Sequence, residues 1–218
     1  MAERDGRLHR DKADDDRLRV RAKEFFEVDR RFPADVFRFG ASRTVFMNFD
    51  TGLSKFAWPA LSALARMHGD AFVDLVTIEP CLGTVRYPAQ WDRYPSLSLS
   101  VDASPEDYEA ATWELCPDGV GRMIGDFADV VVISGASRRW GCWGERAPEI
   151  MAIAAPDTPE HQLWRRNFDF DLCDAYAALG IMAKACRKMR VPMHFVEPFI
   201  DNYTWTSGLR PLDLLVDS

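Results

Sequence analysis

The stretch SGASRRWGCWGERAPEIMAI, residues 134–153, decides the fold of this chain. It follows DVVVIS (129–134), a continuous apolar run that is typical of a strand buried on both faces. The stretch itself predicts a β-hairpin, with one strand from about residue 138 to 145, a turn at ERAPE, and a return strand over 149–155. The chain therefore places three strands in close succession around this point, which favours antiparallel pairing.

The first strand of this hairpin carries two tryptophans. Side chains alternate along a strand, so Trp140 and Cys142 are expected on one side of the sheet and Trp143 on the other. A bulge at Gly141 would instead bring both indoles to one face. Large rings beside small residues favour a packed hairpin, and an exposed aromatic contact surface is the alternative.

The chain before the hairpin alternates predicted strands and helices. Strands are predicted at 44–49 and 71–78, which are largely apolar, and at 96–101, where SLSLSV alternates strictly and indicates one solvent-facing side. A helix is expected after Ser54, a plausible N-cap. A second begins at 104–106, where Ser-Pro-Glu supplies a cap, a proline in the first turn and an acid.

A long helix is predicted in the C-terminal part of the chain. It begins at Thr158-Pro159-Glu160 and ends before Val191-Pro192. Apolar side chains recur every three or four residues from Trp164 to Cys186, which indicates a sustained core-facing surface. MHFVEPF, residues 193–199, predicts a final strand.

These elements predict an α+β (mixed α/β) fold: a mixed, largely antiparallel sheet with helices packed on it and a long C-terminal core helix. The order of the first six elements permits a ferredoxin-like arrangement. Residues 1–31 alternate acids and bases and predict a charged N-terminal arm, partly disordered or weakly helical. A short apolar stripe lies in that arm at Leu18, Ala22, Phe25 and Phe26. Residues 32–218 predict a single α+β domain.

Composition narrows the possible partners and the compartment. The chain has 218 residues and a formal net charge of −7, which argues against nucleic acid or an anionic membrane as partner. The N-terminal sequence has no apolar signal region, and no run of apolar residues is long enough for a membrane span. Five widely spaced cysteines do not indicate a disulfide framework. A cytoplasmic protein is therefore expected, and its oligomeric state is not predicted.

Motifs for common catalytic chemistry do not occur in the sequence. The four histidines are far apart and no zinc-binding spacing exists, so neither a metal site nor a cofactor is predicted. Cys142 in GCW is superficially similar to the nucleophile of papain-type proteases, but it lies in a predicted strand rather than at the start of a helix. A buried core cysteine is the favoured interpretation.

One enzymatic hypothesis stays open. Asp50 follows a strand, where α/β enzymes often place catalytic groups, and turn capping is the alternative role. Arg138 and Arg139, with the backbone amides of SGASRR, suggest an anion site, but no helix follows them, and a solvent-exposed entrance to the hairpin is the favoured interpretation. A small-molecule hydrolase or transferase with a cleft at strand ends near these three residues is therefore the alternative function.

The favoured hypothesis is a protein-binding surface. The loop over 79–95 contains tyrosine, tryptophan and arginine, the residue types that anchor protein interfaces. The predicted binding residues are Tyr87, Trp91, Arg93 and Tyr94 in this loop, with Arg138, Arg139, Trp140 and Trp143 in the hairpin. No catalytic residue is assigned. A third hypothesis is an adaptor or structural subunit that uses the charged N-terminal arm.

The run RWGCWGERAPEIMAIAA, residues 139–155, resembles a strand-turn-strand signature in bacterial immunity-type proteins of toxin–immunity systems. The shared features are tryptophan, an E-R turn, and then an acid followed by an apolar strand. The resemblance covers under a tenth of the chain. It implies an acidic, cytosolic, non-catalytic inhibitor whose partner is a cognate, basic toxin.

Overall fold

The computed structural model describes residues 11–38, 43–80, 91–119, 121–156, 158–167, 172–185 and 190–204. Within these residues six strands form one sheet: β1 (Arg43–Asn48), β2 (Phe72–Pro80), β3 (Ser96–Ser100), β4 (Ala128–Gly135), β5 (Gly141–Glu145) and β6 (Ile150–Ala155). Their order is β1-β6-β5-β4-β2-β3, and every neighbouring pair is antiparallel. The predicted hairpin is confirmed as β5 and β6. Because β1 lies at an edge beside β6, the order is not the ferredoxin-like one that the sequence permitted.

Seven helices are present in the described part of the chain, which confirms the α+β class. They are α1 (Lys12–Phe25), α2 (Phe49–Gly52), α3 (Trp58–Met67), α4 (Pro105–Thr112), α5 (Pro159–Asn167), α6 (Ala175–Ala185) and α7 (Met193–Tyr203). Helix α4 begins with the predicted cap, because Ser104 and Asp107 form a capping box behind Pro105.

Both faces of the sheet are covered, as strand alternation requires when both sets of side chains are apolar. On the first face, residues such as Ile153, Cys142 and Ile133 stand side by side and pack with residues of α2 to α5. On the second face, Ala152, Trp143 and neighbouring side chains pack with α1, α6 and α7. The molecule is therefore a three-layer arrangement with the sheet in the middle.

The predicted N-terminal arm is largely part of this arrangement. Residues 12–25 form α1, and the apolar stripe foreseen in the arm is buried on the second face. Arg21 of this helix pairs with Asp74 of β2, whose carboxylate also accepts a hydrogen bond from Ser98. Residues 1–10 lie outside the described residues.

This helix also explains why the prediction of a wet face for SLSLSV was wrong. The polar side chains Ser96 and Ser98 are buried because they lie on the second face, which is covered. The alternation of polar and apolar residues in this strand therefore separates two faces of the sheet, and Ser96 and Ser98 lie on a face that helix α1 covers.

Two further predictions were wrong. The long C-terminal helix is two helices, α5 and α6, because the backbone at Cys173 leaves helical geometry to pair with β1: its N–H and C=O both bond Phe46, at 2.8 Å. MHFVEPF forms the start of α7 instead of a strand, with Pro198 inside the helix and Phe199 in the core. Tertiary packing overrides the strand preference of the apolar residues in this stretch.

Candidate functional site

The hydrogen-bond donors of the SGASRR loop bind a carboxylate of the same chain, that of Asp70. The Asp70 carboxylate accepts hydrogen bonds from the Ser137 backbone N–H at 2.6 Å, the Ser137 hydroxyl at 2.8 Å and the Trp140 indole N–H at 3.0 Å. Gly135 makes room for this carboxylate, since an added Cβ would lie 1.9 Å from one of its oxygens. The loop donors that suggested an external anion site are thus occupied by Asp70.

The second hairpin indole is held in a similar way on the other face of the sheet. One oxygen of Glu145 accepts hydrogen bonds from the Trp143 indole N–H at 2.7 Å and from the backbone N–H of Phe32 at 2.8 Å. Burial raises the pKa of the Glu145 carboxyl from its ordinary value to about 7, against the opposing effect of those two hydrogen bonds. The indole N–H groups of both hairpin tryptophans therefore have hydrogen-bond acceptors inside the protein.

Three predicted binding residues accordingly lack surface for a partner. Trp140 and Trp143 are 0% exposed and Trp91 is 6% exposed. The Trp91 indole donates to Asp118 at 3.1 Å, and its ring lies 5.6 Å from that of Phe127. Protein already covers the rings of these side chains, as the packed-hairpin interpretation expects for Trp140 and Trp143.

The other predicted binding residues are dispersed. Arg138 is exposed and pairs with Glu24 of α1 at 2.6 Å, while Arg139 is exposed beside it. Arg93 and Tyr94 are half-buried, and Tyr87 lies outside the described residues. The structure does not bring these residues into one aromatic patch.

The cleft of the enzymatic alternative is also not assembled. Asp50 follows the end of β1 and pairs with Arg146, which follows the end of β5, at 3.4 Å. Arg138 and Arg139 precede the start of β5, so the five-residue strand separates them from Asp50 by roughly 15 Å. Cys142 is enclosed in the core, where desolvation raises the pKa of its thiol strongly, so it presents no nucleophile.

The structure does place Asp50 in a different site, here called the acidic groove. It is an open depression of about 720 Å³ between the α2–α3 connection and α4. Its principal lining residues are Asp50, Phe56, Glu106, Glu109, Trp113 and Arg122. The lining therefore contains three carboxylates and one arginine, and the Phe56 residue that shares it is 60% exposed.

Hydrogen bonds between the two walls hold the acidic groove in shape. The Tyr108 hydroxyl donates to the Gly52 carbonyl at 2.8 Å, while the Thr112 hydroxyl at 2.6 Å and the Trp113 indole at 3.0 Å both donate to the Leu53 carbonyl. These buried or part-buried bonds fasten α4 to the turn that precedes Phe56. The exposure of Phe56 therefore belongs to a fixed surface.

Two cations border the acidic groove without covering it. The Lys55 ammonium lies 3.9 Å from the Glu106 carboxylate, a loose contact between exposed groups. Arg146 is held more firmly: it bonds the Ala128 carbonyl at 2.8 Å and lies 4.6 Å from the centre of the Phe49 ring. Sequence reasoning missed Phe56, because an aromatic residue near the start of an amphipathic helix is ordinarily assigned to the core.

A second cluster lies near the opposite end of the sheet. His68 caps the C-terminus of α3, and His161 lies in the first turn of α5. Their Nε2 atoms are 2.9 Å apart, and the His161 Nδ1 atom is 2.7 Å from the Thr158 hydroxyl. Burial, followed by the nearby His161, lowers the pKa of His68, and Arg139 acts in the same direction while Asp70 opposes it.

The wide sequence separation of the two histidines concealed this pair. Within the described ranges, no group of three or more histidine, cysteine or acidic side chains is arranged to hold a metal ion. None of the described helices combines the length and apolar character needed to cross a membrane. No protein-family model, curated protein or solved structure matches this chain.

Proposed function

We propose that this chain is a non-enzymatic cytoplasmic protein that binds a basic protein partner at the acidic groove. The observation that carries the proposal is Phe56, 60% exposed inside a concave surface lined by Asp50, Glu106 and Glu109. When a partner covers a large apolar side chain in such a place, burial of its remaining exposed surface contributes favourable binding free energy.

Charge supports a basic partner over an acidic one. Three carboxylates and one arginine line the groove, Lys55 and Arg146 at its border each pair with one of those carboxylates, and the whole chain has a formal net charge of −7. Carboxylates around an aromatic anchor attract a positively charged surface and orient it on approach. We therefore assign Phe56 the anchoring role and Glu106 and Glu109 the steering role.

A narrower form of the proposal is an immunity-type inhibitor of a basic toxin. Its support is the resemblance of residues 139–155 to immunity-type proteins, together with the acidity of the chain. Most of those residues form strands β5 and β6 in the core, so the resemblance concerns the central sheet and not the surface that would contact a partner. The partner-binding residues of the narrower proposal are those of the acidic groove.

Partner capture with matched variants tests the proposal. A tagged chain is expressed in its own host, coupled to neighbouring lysines with a zero-length carbodiimide, and the coupled protein is identified. Phe56→Ala should reduce recovery of the partner at least tenfold, since anchors of this kind dominate interfaces. Leu163→Ala is the control, because Leu163 is similarly exposed, at 58%, but lies on α5.

The recovered partner then allows a test of the electrostatic part. With purified proteins, Glu106→Lys/Glu109→Lys should slow association and weaken its dependence on salt. Equal recovery by wild type and Phe56→Ala would contradict the proposal. Attachment of the coupled peptide away from the groove, or an acidic partner, would contradict it as well.

A further inference from the structure

We propose that His68 and His161 form a binding site for a divalent transition-metal ion of the zinc class, with two protein ligands. The proposal is independent of the acidic groove and of the function assigned to it. It rests on the convergence of two imidazole Nε2 atoms from different helices, 2.9 Å apart. Imidazole nitrogen is a preferred ligand of Zn²⁺, Cu²⁺ and Ni²⁺.

The geometry is close to that of a metal-bound pair. Two nitrogens at 2.0–2.1 Å from a tetrahedral ion lie roughly 3.3 Å apart, so the rings need to separate by only a few tenths of an ångström. The ring centres are 5.0 Å apart and their planes differ by 26°, so the two Nε2 atoms face each other between the rings, and binding of an ion requires a small rotation of both rings. Side chains with a few rotatable bonds accommodate such a shift readily.

A neighbouring hydroxyl orients one of the two ligands. The Thr158 hydroxyl lies 2.7 Å from Nδ1 of His161, and it also accepts a weak bond from the His161 backbone N–H at 3.4 Å. When Nδ1 carries the proton, it donates a hydrogen bond to the Thr158 hydroxyl oxygen, and Nε2 of His161 presents its lone pair. Hydrogen bonding of the second ring nitrogen is the usual support of a metal-binding histidine.

The surroundings of the pair leave room for further ligands. His161 is 4% exposed, whereas His68 is half-buried, so one side of the pair is open to water. The Asp70 carboxylate favours a cation near His68 and the Arg139 guanidinium disfavours it. Because no third protein ligand joins the pair in the described residues, water or an exogenous group would complete the coordination.

Metal binding would have a structural consequence for α5. Among the described hydrogen bonds between this helix and α3 are the histidine pair and the bond from the Trp164 indole to the Ala60 carbonyl at 3.1 Å. An ion held by one residue from each helix adds a second strong link between them. Zinc should therefore raise the thermal unfolding temperature as well as bind, because it stabilises only the folded pair.

Titration of the purified full-length chain with Zn²⁺, in competition with a chromophoric chelator, tests the site, and Co²⁺ absorption reports the coordination. We expect one ion per chain. His68→Ala and His161→Asn should each weaken binding at least tenfold and abolish the zinc-dependent rise in unfolding temperature. Thr158→Val should weaken binding about tenfold, as loss of a supporting bond does.

The other two histidines of the chain provide the control. His9→Ala/His194→Ala removes both of them and should bind Zn²⁺ within twofold of the wild type. Absence of binding in the wild type would overturn the proposal and leave the pair as a hydrogen bond only. Unchanged binding in a folded His68→Ala variant would also overturn it, and because His68 is half-buried, circular dichroism can verify that this variant folds.

Discussion

The two hairpin tryptophans are held by carboxylates on opposite faces of the same sheet, yet the two pairs differ in construction. Trp140 bonds Asp70, which is 70 residues away in the chain and is also held by Ser137. Trp143 bonds Glu145, two residues along the same strand. The first pair therefore ties the end of α3 to the β4–β5 turn, whereas the second lies within one strand, and Glu145 reaches a distant residue through the backbone N–H of Phe32.

This difference shows what each carboxylate does for the fold. Asp70 collects three donors, all from the distant residues Ser137 and Trp140, so it fixes a tertiary connection. Glu145 collects two donors, and burial still raises the pKa of its carboxyl to about 7. The Asp70 pair should therefore stabilise the fold, while the Glu145 pair is partly offset by the desolvation of its own charge.

The largest test is removal of each carboxylate. Asp70→Ala leaves three donors without an acceptor and should lower the free energy of unfolding by about 3–5 kcal/mol. Glu145→Ala leaves two donors but also removes a buried acid, and we expect a loss of about 1–2 kcal/mol at pH 8. Urea unfolding of both variants measures the difference. Equal decreases in the free energy of unfolding would show that the two pairs stabilise the fold to the same extent.

A second test compares Gly135, which lies beside the Asp70 carboxylate, with Gly144, which stands between Trp143 and Glu145 in the sequence but faces the opposite side of the sheet. A Cβ at Gly135 would lie 1.9 Å from an Asp70 oxygen that is fixed by hydrogen bonds, so Gly135→Ala should destabilise the fold by about 3 kcal/mol. A Cβ at Gly144 would lie 2.9 Å from the flexible end of Met151 and 3.1 Å from the Phe49 ring, and Gly144→Ala should destabilise the fold by about 1 kcal/mol.

A double variant separates this clash from other effects of alanine. In the Asp70→Ala background the opposing oxygen is gone, so adding Gly135→Ala should then destabilise the fold much less than it does in the wild type. Thermal and urea unfolding of the four combinations give the coupling energy. Additive losses would mean that Gly135 does not serve the Asp70 carboxylate.

The same comparison marks the limit of sequence-based prediction for this protein. Period-two alternation was sufficient to place Trp140 and Trp143 on opposite faces, and it also places Glu145 on the same side as Trp143. No local pattern connects Asp70 to the hairpin, because the contact depends on how α3 returns to the sheet. The hairpin was therefore predictable and its principal anchor was not.

The candidate sites likewise depend on contacts between distant parts of the chain, which the sequence pattern does not predict. Asp50 was recognised as a strand-end residue, but its groove depends on the packing of α4 against the turn before Phe56. The approach of His68 to His161, 93 residues apart, depends on the placement of α5. The prediction of one long C-terminal helix failed because pairing of Cys173 with β1 is a tertiary contact that apolar periodicity does not encode.

A pH dependence should distinguish the Glu145 pair from the Asp70 pair. The folded-state pKa of about 7 lies above the ordinary value of 4.5, so between these values the folded chain holds a proton that the unfolded chain releases. The free energy of unfolding should therefore fall as pH rises through this window, by about 1–3 kcal/mol in all.

Glu145→Gln retains an oxygen acceptor for Trp143 and Phe32 but cannot ionise. Its unfolding free energy should exceed that of the wild type at pH 8 and approach it at pH 5, and parallel pH profiles in urea unfolding would show that the Glu145 carboxyl does not oppose folding.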